Sequence, residues 1–179
     1  MGELKNLYCI IGKSGIGKTT AVDKLESECG YKVLKSYTTR APRNEGDTDH
    51  TYISLDEYED LDNKVATCCF NGNFYAATAE QIEENNLYVI DCDGVKELRT
   101  KYAGTKRIIF IQLVAPMEVC LERMLKRGDS EDAAWERLRH DYVAFKEADK
   151  LVDYAVPADD EHVEAWKAIK HIIDYEEVK

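Results

Sequence analysis

The chain has 179 residues, of which 44% are hydrophobic and 33% are charged, and its formal net charge at pH 7 is −11. This length is sufficient for one well-packed core, alone or with small insertions. Sequence-independent binding of nucleic acids relies on neutralising backbone phosphates, so a chain this acidic is poorly suited to it. No apolar run approaches the roughly 20 residues that span a bilayer, and no basic start precedes an apolar signal segment. We therefore expect neither nucleic acid nor a membrane as a partner.

The six cysteines indicate a reducing compartment rather than a disulfide framework or a metal site. They show no CxxC spacing of the metal-binding kind, and most lie in apolar runs, as buried free thiols do. The neighbouring Cys68 and Cys69 suggest redox chemistry, but neighbouring residues of a strand point to opposite faces. We predict that this pair serves packing and that the protein is cytoplasmic.

The first part of the chain alternates strand-like and helical segments. Apolar residues 7–11 predict a strand that ends at a glycine-rich loop. Residues 18–29 carry apolar positions at helical spacing, and Gly30 favours the end of that helix. Residues 32–37 predict a second strand.

Residues 51–78 follow a different pattern, with three short strand-like pieces and a turn signal at Asn71-Gly72. They predict a small β-rich insertion with a hairpin. Two later segments, 87–93 and 107–114, are almost continuously apolar, which is typical of strands covered on both faces in a parallel sheet. A last strand is predicted over 151–156.

Three helices are predicted in the second half of the chain. Pro116 suits the first turn of a helix that runs to Arg127, and Ser130 suits the start of a long helix that reaches about residue 148. A last amphipathic helix is predicted over 160–175, with an inward face formed by Val163, Trp166, Ile169 and Ile173.

Strands that alternate with helices predict βαβ units with right-handed crossovers. The predicted fold class is α/β: a three-layer core with a parallel sheet, a small β-rich insertion and a helical lid. We expect a single domain over residues 1–179, with the insertion at 37–80 and the lid at 126–140.

The segment GKSGIGKT, residues 12–19, satisfies the pattern G-x-x-x-x-G-K-[ST] of a phosphate-binding P-loop. Its glycines let several main-chain N–H groups face one anion, and the following helix directs its positive end to the same point. Lys18 can reach the β- and γ-phosphates of a nucleotide, and the hydroxyl of Thr19 can ligate Mg²⁺. The expected phosphate-binding residues are Gly12, Ser14, Gly15, Gly17, Lys18, Thr19 and Thr20.

A second cluster of anion-binding side chains lies in SYTTRAPRNEGDTDHTY, residues 36–52. Arg40 and Arg43 can hold a phosphate monoester through bidentate guanidinium contacts, with the hydroxyls of Ser36 and Tyr52 nearby. The alternative is a solvated turn with two surface arginines. The preceding P-loop favours the phosphate-binding interpretation.

Asp91 follows the apolar strand residues LYVI, where a metal-facing acid is expected in P-loop enzymes. Asp93 lies two residues further, on the same face of a continuing strand. Ligands collect at the carboxyl ends of strands in open α/β sheets, so both acids are candidates for the site. For Asp93 the alternative is a helix cap near Gly94.

The predicted lid contains the remaining candidate cations. Arg123 and Arg127 share one helix face because four residues separate them, and Arg137 lies on the next helix, beyond a glycine-containing break. A hinged segment that brings arginines over a transferring γ-phosphate, and excludes water, suits phosphoryl transfer. The alternative is surface pairing with neighbouring glutamates, which we expect for Arg139.

These residues together resemble the guanylate kinase family. The P-loop, SYTTRAPR, the NGNFY turn, VIDCDG and the RMLKRG–RL spacing occur in the order found in that family, over residues 7–155. The resemblance implies a P-loop kinase that transfers the γ-phosphate of ATP to GMP with Mg²⁺ and without a covalent intermediate, as a monomer or homodimer. It implies that the acceptor is bound by Ser36, Arg40, Arg43 and Tyr75. The two acids of the strand end would be Asp91 and Asp93. The resemblance also implies that the catalytic residues are Lys18, Arg123, Arg127 and Arg137, and that the metal is held by Thr19 and Asp91.

Three positions depart from the family pattern. Ala66 occupies the position of a glutamate that accepts hydrogen bonds from guanine, and Ala77 that of a serine or threonine that also reads the base. His50 replaces a phosphate-contacting tyrosine, a role that Tyr52 could assume. The phosphate-holding residues are thus retained while the base-reading residues are absent, and burying guanine's donors unpaired would cost on the order of 1–3 kcal/mol. Glu80 or Asp62 could supply a carboxylate from a nearby turn.

Three hypotheses follow. The first is a nucleoside monophosphate kinase that acts on GMP or dGMP and reads the base with other groups. The second is an enzyme of the ribose 1,5-bisphosphate phosphokinase type, whose acceptor lacks a base. The third is a non-catalytic guanylate-kinase-like interaction module, against which the intact P-loop argues.

Overall fold

The computed structural model of the protein describes residues 4–159 and 164–179. Its elements in chain order are β1 (Asn6–Ile11), α1 (Lys18–Cys29), β2 (Val33–Leu34), β3 (Tyr37–Thr38), β4 (Thr51–Tyr52), α2 (Leu55–Asp60), β5 (Lys64–Phe70), β6 (Asn73–Thr78), α3 (Ala79–Glu84), β7 (Leu87–Val89), α4 (Cys92–Lys101), β8 (Arg107–Val114), α5 (Met117–Arg127), α6 (Glu131–Ala144), a 3₁₀ helix (Ala148–Leu151), β9 (Tyr154–Pro157) and α7 (Ala165–Glu177).

A five-stranded parallel sheet in the order β2-β7-β1-β8-β9 forms the centre of the fold. Every residue of the central strand β1 is buried, and alternate side chains enter separate apolar clusters on the two faces of the sheet. Helices α1, α5, α6 and α7 supply one cluster, while α3, α4 and β5 supply the other. The predicted three-layer α/β core is therefore confirmed.

A second, four-stranded sheet in the order β4-β3-β6-β5 forms the predicted insertion. Strands β5 and β6 pair antiparallel, and their turn holds Asn71 at φ 49° and Gly72 at φ 74°. Two consecutive left-handed residues are the conformation that an Asn-Gly hairpin turn provides. The predicted hairpin is confirmed, but part of the insertion is helical, because Ser54 and Glu57 form a reciprocal cap that starts α2.

Two of the predicted strands differ from the strands observed. The strand predicted over 32–37 divides into β2 and β3, which belong to different sheets. The strand predicted over 87–93 ends at Val89, because Asp91 caps α4 through a 2.7 Å hydrogen bond from the main-chain nitrogen of Gly94. Asp93 therefore lies in a helix, and the expected strand alternation does not apply to it.

The predictions for the second half of the chain are mostly correct. The strand over 107–114 is confirmed residue for residue, and α5 ends at Arg127 as predicted. Helix α6 ends at Ala144 rather than near residue 148, because a 3₁₀ turn intervenes, and that turn also shortens the last strand.

The last helix is present as α7, and Ile169 and Ile173 on it are fully buried while Trp166 is partly buried. Its predicted start at 160–163, including Val163, lies outside the described residues. Among the helices of residues 4–159 and 164–179, none combines the length and the apolar character needed to cross a membrane.

Candidate active site

The glycine-rich loop connects the carboxyl end of β1 to the first turn of α1. Gly15 and Gly17 have φ values of 74° and 102°, a region that side-chain-bearing residues rarely adopt. No side chain caps the start of α1, so the first N–H groups of that helix stay directed into the loop. Gly15 also packs closely on α5, since a β-carbon there would lie 2.5 Å from the carbonyl oxygen of Cys120. This geometry is that of an anion-binding P-loop.

Lys18 folds back over this loop. Its Nζ donates hydrogen bonds to the carbonyl oxygens of Gly12 at 2.6 Å and Lys13 at 3.1 Å. Burial lowers the pKa of the ammonium group, and the nearby carboxylates of Asp141 and Asp91 partly oppose that shift. The two hydrogen bonds hold the ammonium group at the loop.

The P-loop lines one end of a cavity of about 520 Å³, here called the P-loop cavity. The predicted phosphate-binding and lid residues that line it are Gly15, Gly17, Lys18, Thr19, Thr20, Arg123 and Arg127. Trp166 of α7 also lines this cavity. Arg123 is fixed, since its Nη1 donates to the carbonyl oxygens of Ile16 at 3.1 Å and Ala158 at 2.7 Å. Arg127 is exposed and pairs with Asp129 at 2.5 Å.

A second cavity of about 330 Å³ lies between the P-loop, the β5–β6 hairpin and α6, and is here called the hairpin cavity. It brings together the predicted residues Gly12, Ser14, Lys18, Ser36, His50, Tyr75, Asp91 and Arg137. Lys18 lines both cavities, which places its ammonium group between them. The rings of Phe70 on the hairpin and His140 on α6 meet edge to face, 5.8 Å apart, and both line this cavity.

His50 is built into the wall of the hairpin cavity. Its Nδ1 lies 3.0 Å from the hydroxyl oxygen of Ser36, and its ring meets that of Tyr75 edge to face at 5.4 Å. Burial, and then the positive charge of Arg40, lowers the pKa of the imidazole. The position that the sequence marked as a departure therefore lies beside Ser36 and Tyr75, as the resemblance implies.

The two arginines of the loop after β3 do not form one phosphate clamp in this structure. Nη2 of Arg40 donates to Asp47 at 3.1 Å and to the hydroxyl of Tyr52 at 3.2 Å. Asp47 is almost fully buried and also accepts from the main-chain nitrogen of Arg43 at 2.9 Å. The Arg43 guanidinium is exposed, 4.0 Å from Asp49, and faces a smaller cavity that Ser36 and His50 also line.

One buried hydrogen-bond donor of the loop after β3 has no partner in the described part of the chain. The Nε of Arg40 is buried without a hydrogen-bond partner among the residues that the structure describes. Hydrogen bonds from Tyr52 and from the main chain of Arg43 hold the pKa of Asp47 below its usual range. Asp47 thus stays charged and keeps the Arg40 guanidinium in a fixed orientation.

The two predicted acids at the end of the strand occupy different environments. Asp91 lines the hairpin cavity, where one carboxylate oxygen caps α4. Asp93 points away, because its carboxylate is largely exposed and pairs with Lys96 at 2.8 Å. Glu80 lies outside the cavity and bonds to Asn63 at 2.7 Å. Of the two predicted acids, the structure brings only Asp91 into the cavity.

The structure adds residues that the sequence analysis did not place in the site. Four residues of β5 line the hairpin cavity, namely Ala66, Thr67, Cys68 and Phe70, while Ala77 does not line it; both alanines belong to the same buried apolar cluster. Cys68, which we expected to serve packing alone, is half-buried, and burial raises the pKa of its thiol, as does its hydrogen bond to Asp91. The period-two spacing of the strand could have predicted one face shared by Ala66, Cys68 and Phe70, but not that Thr67 would also line the cavity.

Asp141 is the second addition. It lines the hairpin cavity one helical turn after Arg137, and its carboxylate accepts a 2.6 Å hydrogen bond from the main-chain nitrogen of Ser14. The spacing of four residues placed it on the same helix face as Arg137. No local pattern, however, indicates that this face contacts the P-loop.

A P-loop at the carboxyl end of a parallel sheet, joined through its lysine to a second polar cavity, is typical of the P-loop class of nucleotide-binding proteins. The sequence model of one family, "Guanylate kinase", matches residues 4–176. The chain belongs to the guanylate kinase family, which confirms the resemblance drawn from its motifs.

Individual relatives agree with this assignment. The guanylate kinase of Chlamydia muridarum is 32% identical, over 97% of this chain and 89% of its own length. That of Haemophilus influenzae is 32% identical, over 87% of this chain and 81% of its own length. The crystal structure of guanylate kinase from Anaplasma phagocytophilum has the same fold, with a TM-score of 0.67 at 21% identity, over 99% of this chain and 89% of that one.

Proposed function

We propose that this protein is an ATP-dependent kinase that transfers the γ-phosphate of ATP to GMP or dGMP, giving ADP and a nucleoside diphosphate. The observation that carries the proposal is the position of Lys18, which lines both the P-loop cavity and the hairpin cavity. A phosphoryl group passing from one cavity to the other would stay beside the same ammonium group throughout. The curated relatives named guanylate kinase support GMP as the acceptor.

In this proposal ATP binds in the P-loop cavity and the acceptor's phosphate binds near Ser36, His50 and Tyr75. An oxygen of the acceptor phosphate attacks the γ-phosphorus, and the bond between that phosphorus and the β-phosphate oxygen breaks. Lys18 and Arg137, which line the hairpin cavity, offset the charge on the transferring group. Arg123 and Arg127 approach the same group from the P-loop cavity. Catalysis then consists of positioning and charge stabilisation, without a protein nucleophile.

The residues present fit Mg²⁺ held jointly with nucleotide phosphates. Within residues 4–159 and 164–179 there is no group of three or more His, Cys, Asp or Glu side chains placed to hold a metal ion. The exposed hydroxyl of Thr19 and the carboxylate of Asp91 each lie at a cavity that Lys18 lines. Mg²⁺ in kinases needs only one or two protein oxygens beside water and substrate phosphates. When bound, the ion would neutralise part of the phosphate charge.

The hairpin cavity has a methyl group where the family pattern has the glutamate that binds guanine. Ala66 lines the hairpin cavity and offers no acceptor for the N1–H and amino group of guanine. Asp91 and Asp141 are the carboxylates in that cavity, and Asp91 lies within hydrogen-bonding reach of Cys68, two residues after Ala66. The carboxylate of Asp91 is already assigned to Mg²⁺, and that of Asp141 accepts from Ser14, so neither is proposed as the acceptor for guanine. The methyl group at Ala66 equally favours the second candidate function, phosphorylation of a sugar bisphosphate without a base.

Release of ADP from Mg-ATP, measured with a panel of acceptors, tests the proposal. The panel contains GMP, dGMP, AMP, CMP, UMP, dTMP and ribose 1,5-bisphosphate. Preference for GMP or dGMP supports the first function, and turnover of the sugar bisphosphate alone would replace it with the second. ATP binding without turnover of any acceptor would refute both, in favour of a non-catalytic module.

Two substitutions separate the donor and acceptor roles. We expect Lys18→Ala to abolish turnover with every acceptor, because the transferring group loses its fixed cation. We expect Arg40→Ala chiefly to raise the KM for the acceptor while ATP binding is retained, because Arg40 orders the loop that carries Tyr52 and its charge acts on His50 in the wall of the hairpin cavity. Near-normal activity of either variant would contradict the role assigned to that residue.

A further inference from the structure

A buried carboxylate on α6 contacts the P-loop directly. The Asp141 side chain is only 11% exposed, although it lies on a helix with a mostly exposed surface. Its Oδ2 accepts the 2.6 Å hydrogen bond from the Ser14 nitrogen, and its Oδ1 lies 3.7 Å from Nδ1 of His140. The contact joins segments 127 residues apart in the chain.

This contact uses a main-chain donor of the loop that binds phosphate. The N–H groups of a P-loop bind anions because they converge on one point beside the positive end of a helix. At Ser14 a carboxylate oxygen takes a hydrogen bond of the kind that a phosphate oxygen would accept. The protein thus places one negative charge of its own directly beside the loop that would bind the phosphates of a nucleotide.

Asp141 also acts on the charge of Lys18. Its carboxylate opposes the effect of burial on the ammonium group more strongly than Asp91 does. In the part of the chain that the structure describes, the direct partners of the Lys18 Nζ are carbonyl oxygens and not carboxylates. Asp141 therefore balances Lys18 through space rather than by a close ion pair, and it does so from inside the hairpin cavity.

We propose that Asp141 is a positioning residue that makes the P-loop prefer metal-bound ATP over metal-free ATP. This inference rests on the proposed function, because it requires ATP to bind at the P-loop. The carboxylate repels the phosphates in proportion to their net charge, which is about −4 for free ATP and about −2 for its Mg²⁺ complex. The free-energy penalty is therefore about twice as large for the metal-free nucleotide.

Calorimetric titration of ATP, once with excess Mg²⁺ and once with EDTA, tests this role without measuring turnover. Asp141→Asn removes the charge but keeps an oxygen that accepts from Ser14. We expect the variant to bind Mg-ATP about threefold more tightly and free ATP about tenfold more tightly than the unaltered protein does. The repulsion that is removed is twice as large in free energy for free ATP, so the fold-change for free ATP is about the square of the fold-change for Mg-ATP. Asp141→Glu, which keeps the charge, should retain the original preference for the metal complex.

Asp149→Asn, an exposed acid-to-amide change on the 3₁₀ helix after α6, is the matched control and should leave both constants unchanged. If Asp141 only holds the loop in place, the Asn variant will bind both forms of ATP as the unaltered protein does, and the inference is overturned. An equal shift in both buffers also overturns it. If Asp141→Asn fails to fold, Asp141→Ser gives the same comparison. Failure of the unaltered protein to bind Mg-ATP would overturn the proposed function as well.

Discussion

Close packing of the P-loop on α5 predicts that Gly15 contributes to stability as well as to ligand binding. Gly15→Ala introduces a methyl group at φ 74°, 2.5 Å from the carbonyl oxygen of Cys120 and 2.8 Å from Cγ of Met124. Left-handed backbone costs a side-chain-bearing residue about 1–2 kcal/mol. The carbonyl belongs to helix backbone and cannot rotate away, so the steric conflict adds about 1–3 kcal/mol.

Gly30→Ala separates these two contributions. Gly30 ends α1 at φ 69°, nearly the same conformation, but nothing lies within 4 Å of its added β-carbon. Both substitutions also stiffen the unfolded chain by the same amount, about 0.4–1 kcal/mol, and this gain cancels in the comparison. We expect Gly30→Ala to lower the free energy of unfolding by about 1 kcal/mol, and Gly15→Ala to lower it by about 2–4 kcal/mol.

Urea unfolding of the ligand-free protein measures the difference, provided that the two variants unfold with the same m-value. Equal losses at the two glycines would refute the packing argument, because the steric conflict would then contribute nothing. We also expect Gly15→Ala to weaken ATP binding, since the loop must move away from α5 to accommodate the methyl group.

Three further predictions concern charge and ligand-linked fluorescence. Glu176 is buried, accepts hydrogen bonds from Arg107, Tyr154 and Lys179, and has its pKa lowered from 4.5 to about 2. Glu176→Gln should therefore lower the free energy of unfolding by about 2–3 kcal/mol at pH 7. The loss should become smaller as the pH falls from 4.5 towards 2, because the carboxylate of the unaltered protein is then protonated. A loss that does not depend on pH would contradict this prediction. The pKa of His50 is lower in the folded protein than in the unfolded chain, so the imidazole is protonated at a higher pH when the chain is unfolded. The free energy of unfolding should therefore fall as the pH drops below 6.5. Urea midpoints between pH 7 and 5 should fall less in His50→Gln, and parallel declines would refute the assignment. The chain has two tryptophans, so the tryptophan fluorescence of the Trp135→Phe variant comes from Trp166, which lines the P-loop cavity. Mg-ATP should change the fluorescence of this variant and leave that of Trp166→Phe unchanged. A response of Trp166→Phe would show that the ligand binds elsewhere.

The parts of the fold that depend on local signals could be predicted from the sequence. Strand β8 is a continuous apolar run, and helix α1 ends at a glycine in the left-handed conformation, so both were predicted with their observed bounds. The predicted strand over 87–93 was too long because Asp91 can be read either as the end of a strand or as a helix cap. Only the packing of α4 on the sheet decides between these interpretations.

The sequence predicted many residues of the candidate site, but not which of them form hydrogen bonds with one another. The sequence marked Arg40 and Arg43 as a phosphate clamp, yet it could not show that Asp47 would take up hydrogen-bond donors of both residues. The contact between Asp141 and Ser14 depends on how α6 crosses the loop, which no short-range pattern encodes. Contacts between distant segments arise from the assembled core, and motif spacing carries no information about them.

The contact between Phe70 and His140 has a consequence for the timing of the proposed reaction. These rings join the hairpin to α6 beside the hairpin cavity, so a nucleotide that enters or leaves on this side must part the two elements. Separation moves a whole hairpin through solvent, and motions of this kind are slow compared with side-chain rotation. The turnover rate would then depend on solvent viscosity and on the size of the departing product, more than on the reactivity of the phosphates.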